Sequence, residues 1–323
     1  MDYPKITIIT PSFNQAQFIE QTIDSVLSQN YPNLEYYVFD GGSTDGSADI
    51  INKFEKHLTY WESKPDKGQS DAINKGLRMA TGEIVNWLNS DDFYEPDALT
   101  FVAEAFDNPT TNVVCGKSKI VDEAGRVVSY SNGTDIYPEN LSKTIGWARI
   151  DQPETFFRKR VVDKMGLLTT TLNFVMDKDW WVRYLAIFGL EGIKEIDDKL
   201  VNFRLHDSSK TNNHQKQFEI ETNTLFHSLC LANNLNEAKQ IAALGIDNSI
   251  DLDDIVFDSS QSAIHYYLLK KADETYYQQN DSLARKLLSQ INPKLLKAKD
   301  VRLYEKLLFR SQFIPGWLRN TVK

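Results

Sequence analysis

Short β-rich runs alternate with helical patterns through the first half of the chain, and this alternation constrains the fold more than any other feature. Lys5–Thr10, Leu34–Phe39 and Glu83–Leu88 have the composition of buried strands. Between the first two, apolar residues spaced three and four apart over Ile19–Leu27 predict an amphipathic helix. Strands joined by crossover helices form parallel sheets. The sequence therefore predicts an α/β fold with a Rossmann-like, mostly parallel sheet flanked by helices.

The pattern changes after Pro96, and from about Gln215 onward it is typical of helices alone. We therefore predict a first domain over residues 1–214 and a helical C-terminal region over residues 215–323. Within residues 96–214 we predict a hairpin turning at Asp122–Gly125, a mobile loop over Ser131–Ile150, an aromatic-rich helix over Asp177–Phe188 and a strand over Ile193–Arg204.

Composition excludes several classes of protein. Of 323 residues, 41% are hydrophobic, yet no stretch approaches the ~18 apolar residues of a membrane-spanning helix. Cys115 and Cys230 are far apart, which argues for a reducing compartment and against a thiolate metal site. The net charge of −9 argues against nucleic-acid binding. With no signal-peptide pattern at the N-terminus, we expect a cytoplasmic protein.

The C-terminal region is basic although the whole chain is acidic, with 12 Lys and Arg against 5 Asp and Glu over residues 270–323. This pattern predicts an interfacial helix that binds anionic lipid at the inner face of the membrane. Packing against the first domain or another subunit explains it equally well. The cationic stripe is Lys299, Arg302, Lys306 and Arg310, the apolar stripe beside it is Val301, Tyr304 and Leu308, and Phe313, Ile314, Trp317 and Leu318 follow around Pro315.

Three polar clusters follow predicted strands: Pro11–Asn14, Asp40–Gly42 and Ser90–Asp92. Ligands of open α/β sheets bind beyond the carboxyl ends of the strands, so these clusters predict an acidic cleft. Asp45 is better interpreted as a turn or cap residue. The neighbouring carboxylates of Asp91 and Asp92 repel each other unless a cation offsets them, and oxygen ligands suit Mg²⁺ or Mn²⁺. Without other features, such a pair is a weak metal signal.

Several ordered motifs resemble family 2 glycosyltransferases with the GT-A fold. The resemblance covers about residues 4–212 and does not extend to the tail. The donor-half motifs are Ile6–Gln29, Asp40–Ser47, Lys64–Gly82 and Leu88–Tyr94, and the acceptor-half motifs are Gln152–Arg158, Met176–Arg183 and Phe203–Thr211.

The resemblance implies a nucleotide-binding role for residues near the first strands. The position matching Asp40 accepts a hydrogen bond from the nucleobase. Uracil and thymine offer an N3–H there whereas cytosine does not, so a carboxylate selects a UDP- or dTDP-sugar. Pro11 and Phe13 match positions that line the base pocket. Asp71 matches the segment that closes the nucleotide site, although it is equally suited to capping the helix that follows.

The resemblance also implies a cation site of Mn²⁺ or Mg²⁺. Asp91 would face the ribose or donor sugar, and Asp92 would hold the metal that bridges the phosphates. Ser90 stands where the family has its first carboxylate. His206 matches a histidine that reaches the metal or diphosphate, with Lys210 nearby in the nucleotide-sugar site; the alternative is an exposed loop histidine.

An inverting transfer needs a base for the acceptor hydroxyl, and the resemblance implies Asp177. Met176 replaces the usual Glu before it. Asp179 is a rival, but two helix positions differ by ~200°, so both cannot face one cleft. The helix N-terminus favours the ionised form, so we expect no strongly raised pKa at Asp177. The aromatic residues Trp180, Trp181 and Tyr184 either form an acceptor platform or belong to the core.

The resemblance therefore implies an inverting, metal-dependent, hexosyltransferase-type enzyme. It would move a sugar from a UDP- or dTDP-sugar to a glycan or lipid-linked acceptor, in cell-surface polysaccharide or glycolipid synthesis. Two alternatives stay open. A catalytically silent nucleotide-sugar or partner-binding module is supported by Met176. A nucleotidyltransferase would need a Gly-rich, basic phosphate loop, which Pro11–Asn14 lacks.

Overall fold

The computed structural model describes residues 3–147, 149–207, 209–252 and 254–314, apart from the side chains at 211 and 212. Two compact units are distinguished. The sheet unit comprises the chain through Asp135, Arg149–Tyr184 and Leu190–Phe218. The helical unit comprises Ile136–Ala148, Leu185–Gly189 and the chain from Glu219. It thus includes two segments that a division at residue 214 assigns to the first domain.

Within the described residues, one mixed sheet of nine strands forms the sheet unit. The strand order is β3-β2-β1-β4-β8-β6-β9-β5, and β7 pairs with β6. The first four strands in this order are parallel, as predicted, and β8 is antiparallel to both neighbours. The strands are β1 (Ile6–Ser12), β2 (Leu34–Asp40), β3 (Tyr60–Ser63), β4 (Ile84–Trp87), β5 (Phe93–Tyr94), β6 (Val113–Val121), β7 (Val127–Ser131), β8 (Thr155–Arg158) and β9 (Ile193–Arg204).

The helices follow the apolar periodicity of the sequence. In the first of them, Ile19, Ile23 and Val26 are buried against the sheet, as predicted, and Leu27 is half-buried. The helices are α1 (Ile19–Leu27), α2 (Ser47–Lys53), α3 (Gln69–Met79), α4 (Ala98–Ala105), α5 (Leu141–Trp147), α6 (Lys159–Met165), α7 (Met176–Phe188), α8 (Lys210–Asn213), α9 (Gln215–Ala232), α10 (Ala238–Ala242), α11 (Ser260–Tyr277), α12 (Asp281–Leu288) and α13 (Ala298–Phe313).

Strand pairing brings the predicted clusters to one edge of the sheet. β1 is buried along its whole length and lies between β2 and β4, with Ser12 opposite Asp40. Because these three strands are parallel, the turns that follow them lie at the same edge. The predicted hairpin is present, because β6 and β7 pair antiparallel on either side of the turn.

The expectation of a mobile loop over Ser131–Ile150 is wrong, because this segment contains α5. Gly146 of α5 lies so close to α11 that an added Cβ would be 2.2 Å from the carbonyl oxygen of Ala263. On the same helix Lys143 forms a buried ion pair with Asp300 of α13 at 2.6 Å. Burial of a helix face explains why a segment without strong local signals is helical.

Candidate active site

The turn after β1 and the loop after β2 are joined by reciprocal hydrogen bonds. Asn14, with a φ of 53°, donates its amide to Ser43 Oγ at 2.7 Å and accepts from the amide of Thr44 at 3.0 Å. Asp45 Oδ2 accepts from the amide of Ala16 at 2.9 Å. Asp45 therefore organises the loop, in agreement with its interpretation as a turn residue.

Asp40 is buried at the end of β2, and four donors reach its carboxylate. The amides of Gly42 and Ser43 donate to Oδ2, as does the hydroxyl of Ser63 at 2.6 Å. The Ser43 hydroxyl donates to Oδ1. An ionised carboxylate has about four acceptor sites, so these donors engage most of its capacity. In this structure Asp40 organises the loop, and its role in reading the base stays a prediction.

Phe13 presents an open aromatic face at this edge of the sheet. Its side chain is 61% exposed, and its ring edge lies near Gly41, where an added Cβ would be 3.3 Å from Cδ2 of Phe13 and 3.1 Å from Asp66 Oδ2. Pro11, by contrast, is buried within β1. The neighbouring Ser12 hydroxyl is buried and has no hydrogen-bond partner in the described part of the chain. Of the two predicted base-pocket residues, Phe13 alone offers a surface for stacking.

The two candidate carboxylates after β4 have different surroundings. Asp91 Oδ2 lies 3.0 Å from Nε2 of His206, while Asp92 is buried and accepts from the amide of Arg204 at 2.9 Å. Asn89 Nδ2 lies 3.4 Å from the other oxygen of Asp92. Burial, reinforced by the negative charge of Asp91, raises the pKa of Asp92 well above its usual range. His206 is buried, so its interpretation as an exposed loop histidine is wrong.

This donor set fits a hard divalent cation chemically. A raised carboxyl pKa beside a second carboxylate marks a place where added positive charge is favourable, and carboxylate and imidazole are both Mn²⁺ ligands. In the described ranges, no group of three or more His, Cys, Asp and Glu side chains is arranged to hold a metal. A cation here would therefore need further oxygen ligands, such as those of a diphosphate.

Lys210 is connected through amide side chains to the turn after β4, Ser90–Asp92, which we call the acidic turn. Its Nζ donates to Gln69 Oε1 at 2.8 Å and to the carbonyl of Asn173 at 3.0 Å. Gln69 Nε2 in turn donates to Asn89 Oδ1 at 2.8 Å, and Asn89 reaches Asp92. Sequence reasoning missed Gln69 and Asn89, which lie within two of the quoted motifs but carry no titratable group.

Asp71 occupies the first turn of α3. Its Oδ2 accepts from the amide of Lys67 at 3.3 Å, and its own amide donates to the carbonyl of Gly68. These are the contacts of a residue that satisfies backbone groups at a helix start. The N-cap of α3 is Gly68, without a side-chain cap hydrogen bond, so Asp71 is not the capping residue, and closure of the nucleotide site by Asp71 stays a prediction.

The two candidate bases on α7 differ sharply. Burial raises the pKa of Asp177 to about 6, against the opposing hydrogen bond from the Lys178 amide, so the carboxyl group is more basic than its position at a helix N-terminus predicts. Asp179 is fully buried and paired with Arg183 at 3.0 Å, and it also accepts from the hydroxyl of Thr169. Asp179 is thus committed to a structural ion pair, which leaves Asp177 as the candidate.

Packing places the start of α7 near the end of β4. Trp180 packs on Trp87 of β4 with ring centroids 5.3 Å apart. Gln152 donates to the carbonyl of Trp87 at 2.9 Å, and the negative charge of the adjacent Asp151 contributes to the raised pKa of Asp177. The start of α7 therefore lies near β4 and near the segment that contains Asp151 and Gln152.

The aromatic side chains of α7 are core residues. Trp180, Trp181 and Tyr184 are buried, and the rings of Trp181 and Tyr184 stack at 5.2 Å. Phe157 of β8 contacts all three rings. Buried rings cannot offer a face to a sugar, so the interpretation as an acceptor platform is wrong.

Comparison with known proteins identifies the family of this chain. Residues 7–166 match the family model described as glycosyl transferase family 2. The chain is a glycosyltransferase of family 2. It is 27% identical over 228 residues to an uncharacterized glycosyltransferase of Rickettsia typhi, covering 67% of this chain and 69% of that protein. It is 41% identical over 101 residues to the putative teichuronic acid biosynthesis glycosyltransferase TuaG of Bacillus subtilis, covering 30% and 39%.

Two solved structures share the fold. S. aureus TarS residues 1–349, in complex with UDP-GlcNAc, superposes with a TM-score of 0.59 at 15% identity and covers 95% of this chain and 91% of its own. The mannosyltransferase PcManGT of Pyrobaculum calidifontis, in complex with GDP-Man and Mn²⁺, gives a TM-score of 0.51 at 18% identity, covering 99% and 87%. The fold is therefore GT-A, and the likeness extends into the helical C-terminal region of this family 2 chain.

Proposed function

We propose that this family 2 glycosyltransferase transfers a hexose-type sugar from a UDP- or dTDP-sugar to an acceptor hydroxyl with inversion. The observation that carries the proposal is the arrangement at the carboxyl edge of β1, β2 and β4. There an exposed aromatic ring follows β1, and a carboxylate that follows β4 pairs with a buried histidine that follows β9. That TarS was solved with UDP and UDP-GlcNAc supports a nucleotide-sugar donor.

In the proposed donor site, Phe13 stacks on the base and the loop held by Asp40 surrounds it. The contact between Lys210 and Gln69 lies close to the acidic turn, where a cationic ammonium would contact the diphosphate. A pyrimidine with an N3–H donor would find the carboxylate of Asp40 at the end of the neighbouring strand.

In the proposed cation site, Asp92 and His206 would hold Mn²⁺ or Mg²⁺, and Asp91 would face the donor sugar. When bound, the cation offsets the charge that develops on the departing nucleoside diphosphate. The chain's own contribution is to orient Asp92 through the amide of Arg204 and the side chain of Asn89, and to pair Asp91 with the imidazole of His206.

In the proposed transfer step, Asp177 accepts the proton of the acceptor hydroxyl as that oxygen attacks the anomeric carbon from the face opposite the diphosphate. A base on that face gives inversion in a single displacement. The carboxylate with a pKa of about 6 is ionised at neutral pH and more basic than an ordinary aspartate.

The test combines binding and turnover. Thermal-shift screening of the full chain with UDP, dTDP and GDP sugars, with and without Mn²⁺, identifies the donor. We expect Asp92→Ala and Asp177→Ala each to nearly abolish transfer, and only Asp92→Ala to weaken Mn²⁺-dependent UDP binding. A chain that binds UDP but releases none with any glycan or lipid-linked acceptor would be a silent binding module. Full activity of either variant would contradict the role assigned to that residue.

We further propose that the enzyme acts at the inner, cytoplasmic face of the membrane on a lipid-linked or glycan acceptor, in cell-surface polysaccharide or glycolipid synthesis. Across the described residues no helix is both long and apolar enough to cross a bilayer. The proposed contact is α13. The described part of the chain ends at residue 314, so Pro315, Trp317 and Leu318 of the predicted interfacial segment lie outside it.

The exposed side of α13 combines cations with aromatic rings. Phe309 and Phe313 are 59% and 66% exposed, whereas Val301, Tyr304 and Leu308, the predicted apolar stripe, are half-buried. At 3.6 residues per turn the two Phe side chains project within about 100° of all four cations of the stripe, Lys299, Arg302, Lys306 and Arg310. Basic and aromatic side chains on one exposed face favour an anionic lipid surface.

A further inference from the structure

Arg204, the last residue of β9, is a buried arginine that sequence reasoning did not single out. Its side chain leaves the sheet directly beside the acidic turn, and its own backbone amide donates to Asp92 Oδ1 at 2.9 Å. The main chain of Arg204 therefore contacts the proposed cation site directly, in addition to the contacts of its guanidinium.

The guanidinium connects three separate elements. Nε donates to the carbonyl of Asp91 at 2.8 Å, one terminal nitrogen donates to the carbonyl of Glu123 in the β6–β7 turn at 2.7 Å, and the other donates to Gln21 Oε1 of α1 at 2.6 Å. A planar guanidinium holds several acceptors in a fixed geometry, which the single ammonium of lysine cannot do. The acidic turn is therefore attached to α1 and to the hairpin through one side chain.

Aromatic contacts extend this arrangement to His206. The guanidinium carbon of Arg204 lies 4.7 Å from the ring centroid of Phe18 and 5.1 Å from that of Phe93. The ring of Phe18 also packs against the imidazole of His206 at 4.7 Å. Phe18 thus contacts both Arg204 and the histidine that pairs with Asp91, so a displaced guanidinium would disturb the imidazole as well.

We propose that Arg204 is a positioning residue of the donor site, which fixes Asp91, Asp92 and His206 in the orientation that a cation-bound nucleoside diphosphate requires. This inference rests on the proposed function, since it concerns the same acidic turn. Side chains that hydrogen-bond to metal ligands and so orient them strongly influence metal affinity. Their loss typically lowers that affinity about 10- to 100-fold.

The chain offers a matched control in Arg158. Its guanidinium also donates to backbone carbonyls, those of Thr111, Phe106 and Asn108, and also packs on an aromatic ring, that of Phe106 at 5.2 Å. Arg158 is the last residue of β8, and none of these contacts involves the acidic turn. Arg158→Lys and Arg204→Lys both keep the charge and lose comparable structural contacts.

The experiment measures UDP affinity of the full chain by titration calorimetry, once with Mn²⁺ and once with EDTA. We expect Arg204→Lys to raise the dissociation constant of UDP with Mn²⁺ by about tenfold or more, and to leave the affinity in EDTA unchanged. Arg158→Lys should lower the melting temperature comparably yet bind UDP with Mn²⁺ like the wild type. A purely structural role for Arg204 would not produce this dependence on Mn²⁺.

Each outcome decides a different point. Wild-type affinity in Arg204→Lys, or an equal loss in Arg158→Lys, would overturn the positioning role and leave the proposed function standing. If the wild-type chain bound UDP with the same affinity with and without Mn²⁺, both the positioning role and the proposed metal-dependent function would be overturned. If Arg204→Lys does not fold, the same titration is made with Gln21→Leu, which removes one acceptor of the Arg204 guanidinium and leaves Arg204 in place. A smaller Mn²⁺-dependent loss is then expected, and no loss would overturn the proposal.

Discussion

Nε2 of His206 lies 3.0 Å from Oδ2 of Asp91, although 115 positions separate the two residues in the chain. The contact follows from strand pairing. β5 begins directly after the acidic turn and runs antiparallel to β9, with Phe93 opposite Asn202. β5, a strand of only two residues, therefore holds the turn after β4 against the segment that follows β9. It brings together Asp91 and His206, which belong to a donor-half motif and an acceptor-half motif of the family resemblance.

The pH dependence of transfer tests the role of Asp177. With a pKa of about 6 the carboxylate is protonated in acid, so we expect kcat/KM to fall about tenfold per pH unit below pH 6 and to level off above it. Asp177→Asn should lose about 100-fold or more in rate and show no acid limb. A wild-type plateau that continues to pH 4, measured by UDP release, would exclude Asp177 as the titrating base.

Asp179→Asn is the control for that experiment. It removes the partner of the nearly buried Arg183, which typically destabilises a fold by about 3–5 kcal/mol. Where the variant still folds, its acid limb should stay at the wild-type position, because Asp179 is engaged in an ion pair away from the reacting groups.

Titration of Asp177 should make the folded protein less stable as pH rises, whereas transfer activity should increase over the same range. A carboxyl group whose pKa is higher in the folded than in the unfolded chain binds its proton more tightly when folded, so stability falls as pH rises from about 4 to about 6. We expect Asp177→Asn to melt at a higher temperature than the wild type above pH 6 and at a similar temperature near pH 4. Calorimetric scans across this range would contradict the argument if the difference were constant.

The exposed ring of Phe13 should contribute directly to donor binding. Stacking of a base on an aromatic side chain is worth about 1–3 kcal/mol, so Phe13→Leu should weaken UDP binding by about tenfold, while Phe13→Trp should preserve it. Tyr130 on β7, 64% exposed, provides a control, and Tyr130→Leu should leave UDP affinity unchanged. Calorimetric titration distinguishes these outcomes, and unchanged binding in Phe13→Leu would remove the stacking role.

Local patterns predicted much of the sheet unit because its elements are specified by neighbouring residues. The predicted strand over Ile193–Arg204 agrees with β9 at both ends, and the spacing of Ile19, Ile23 and Val26 defines the buried face of α1. α5 was missed because its seven residues gain their helical stability from burial against α11, which no local signal reveals.

The candidate site was predictable where the residue type itself carries chemistry. Asp91, Asp92 and His206 could be named from the sequence, but Gln69, which joins Lys210 to Asn89, could not, because an amide acquires its role only through neighbours distant in the chain. Burial is likewise a property of the fold. It raises the pKa of Asp177 above what its position at a helix start favours.

The close approach of α5 to α11 makes Gly146 a sensitive position in the helical unit. A Cβ there would be 2.2 Å from the carbonyl oxygen of Ala263 and 2.8 Å from Cβ of Tyr266, so Gly146→Ala should cost about 1–3 kcal/mol of unfolding free energy. Ser142→Ala on the same helix loses one hydrogen bond of 3.5 Å to Ser259 and should cost little. Denaturant titration of both variants provides the comparison, and equal stabilities would contradict the argument.

Vesicle flotation tests whether the exposed face of α13 binds lipid. Measuring it at low and high salt separates the contribution of the cations from that of the aromatic rings. Four cations near an anionic surface contribute about 1 kcal/mol each, so replacing Lys299, Arg302, Lys306 and Arg310 by Gln should abolish flotation with phosphatidylglycerol vesicles at low salt. Replacing exposed cations elsewhere, Lys53, Lys56, Arg78 and Lys216, removes the same charge and should leave flotation intact. Phe309→Ser with Phe313→Ser should keep a salt-sensitive interaction and lose the salt-resistant part, because the rings supply apolar area that screening does not weaken. Equal flotation of the two charge variants would show that net charge, not this helix face, determines binding.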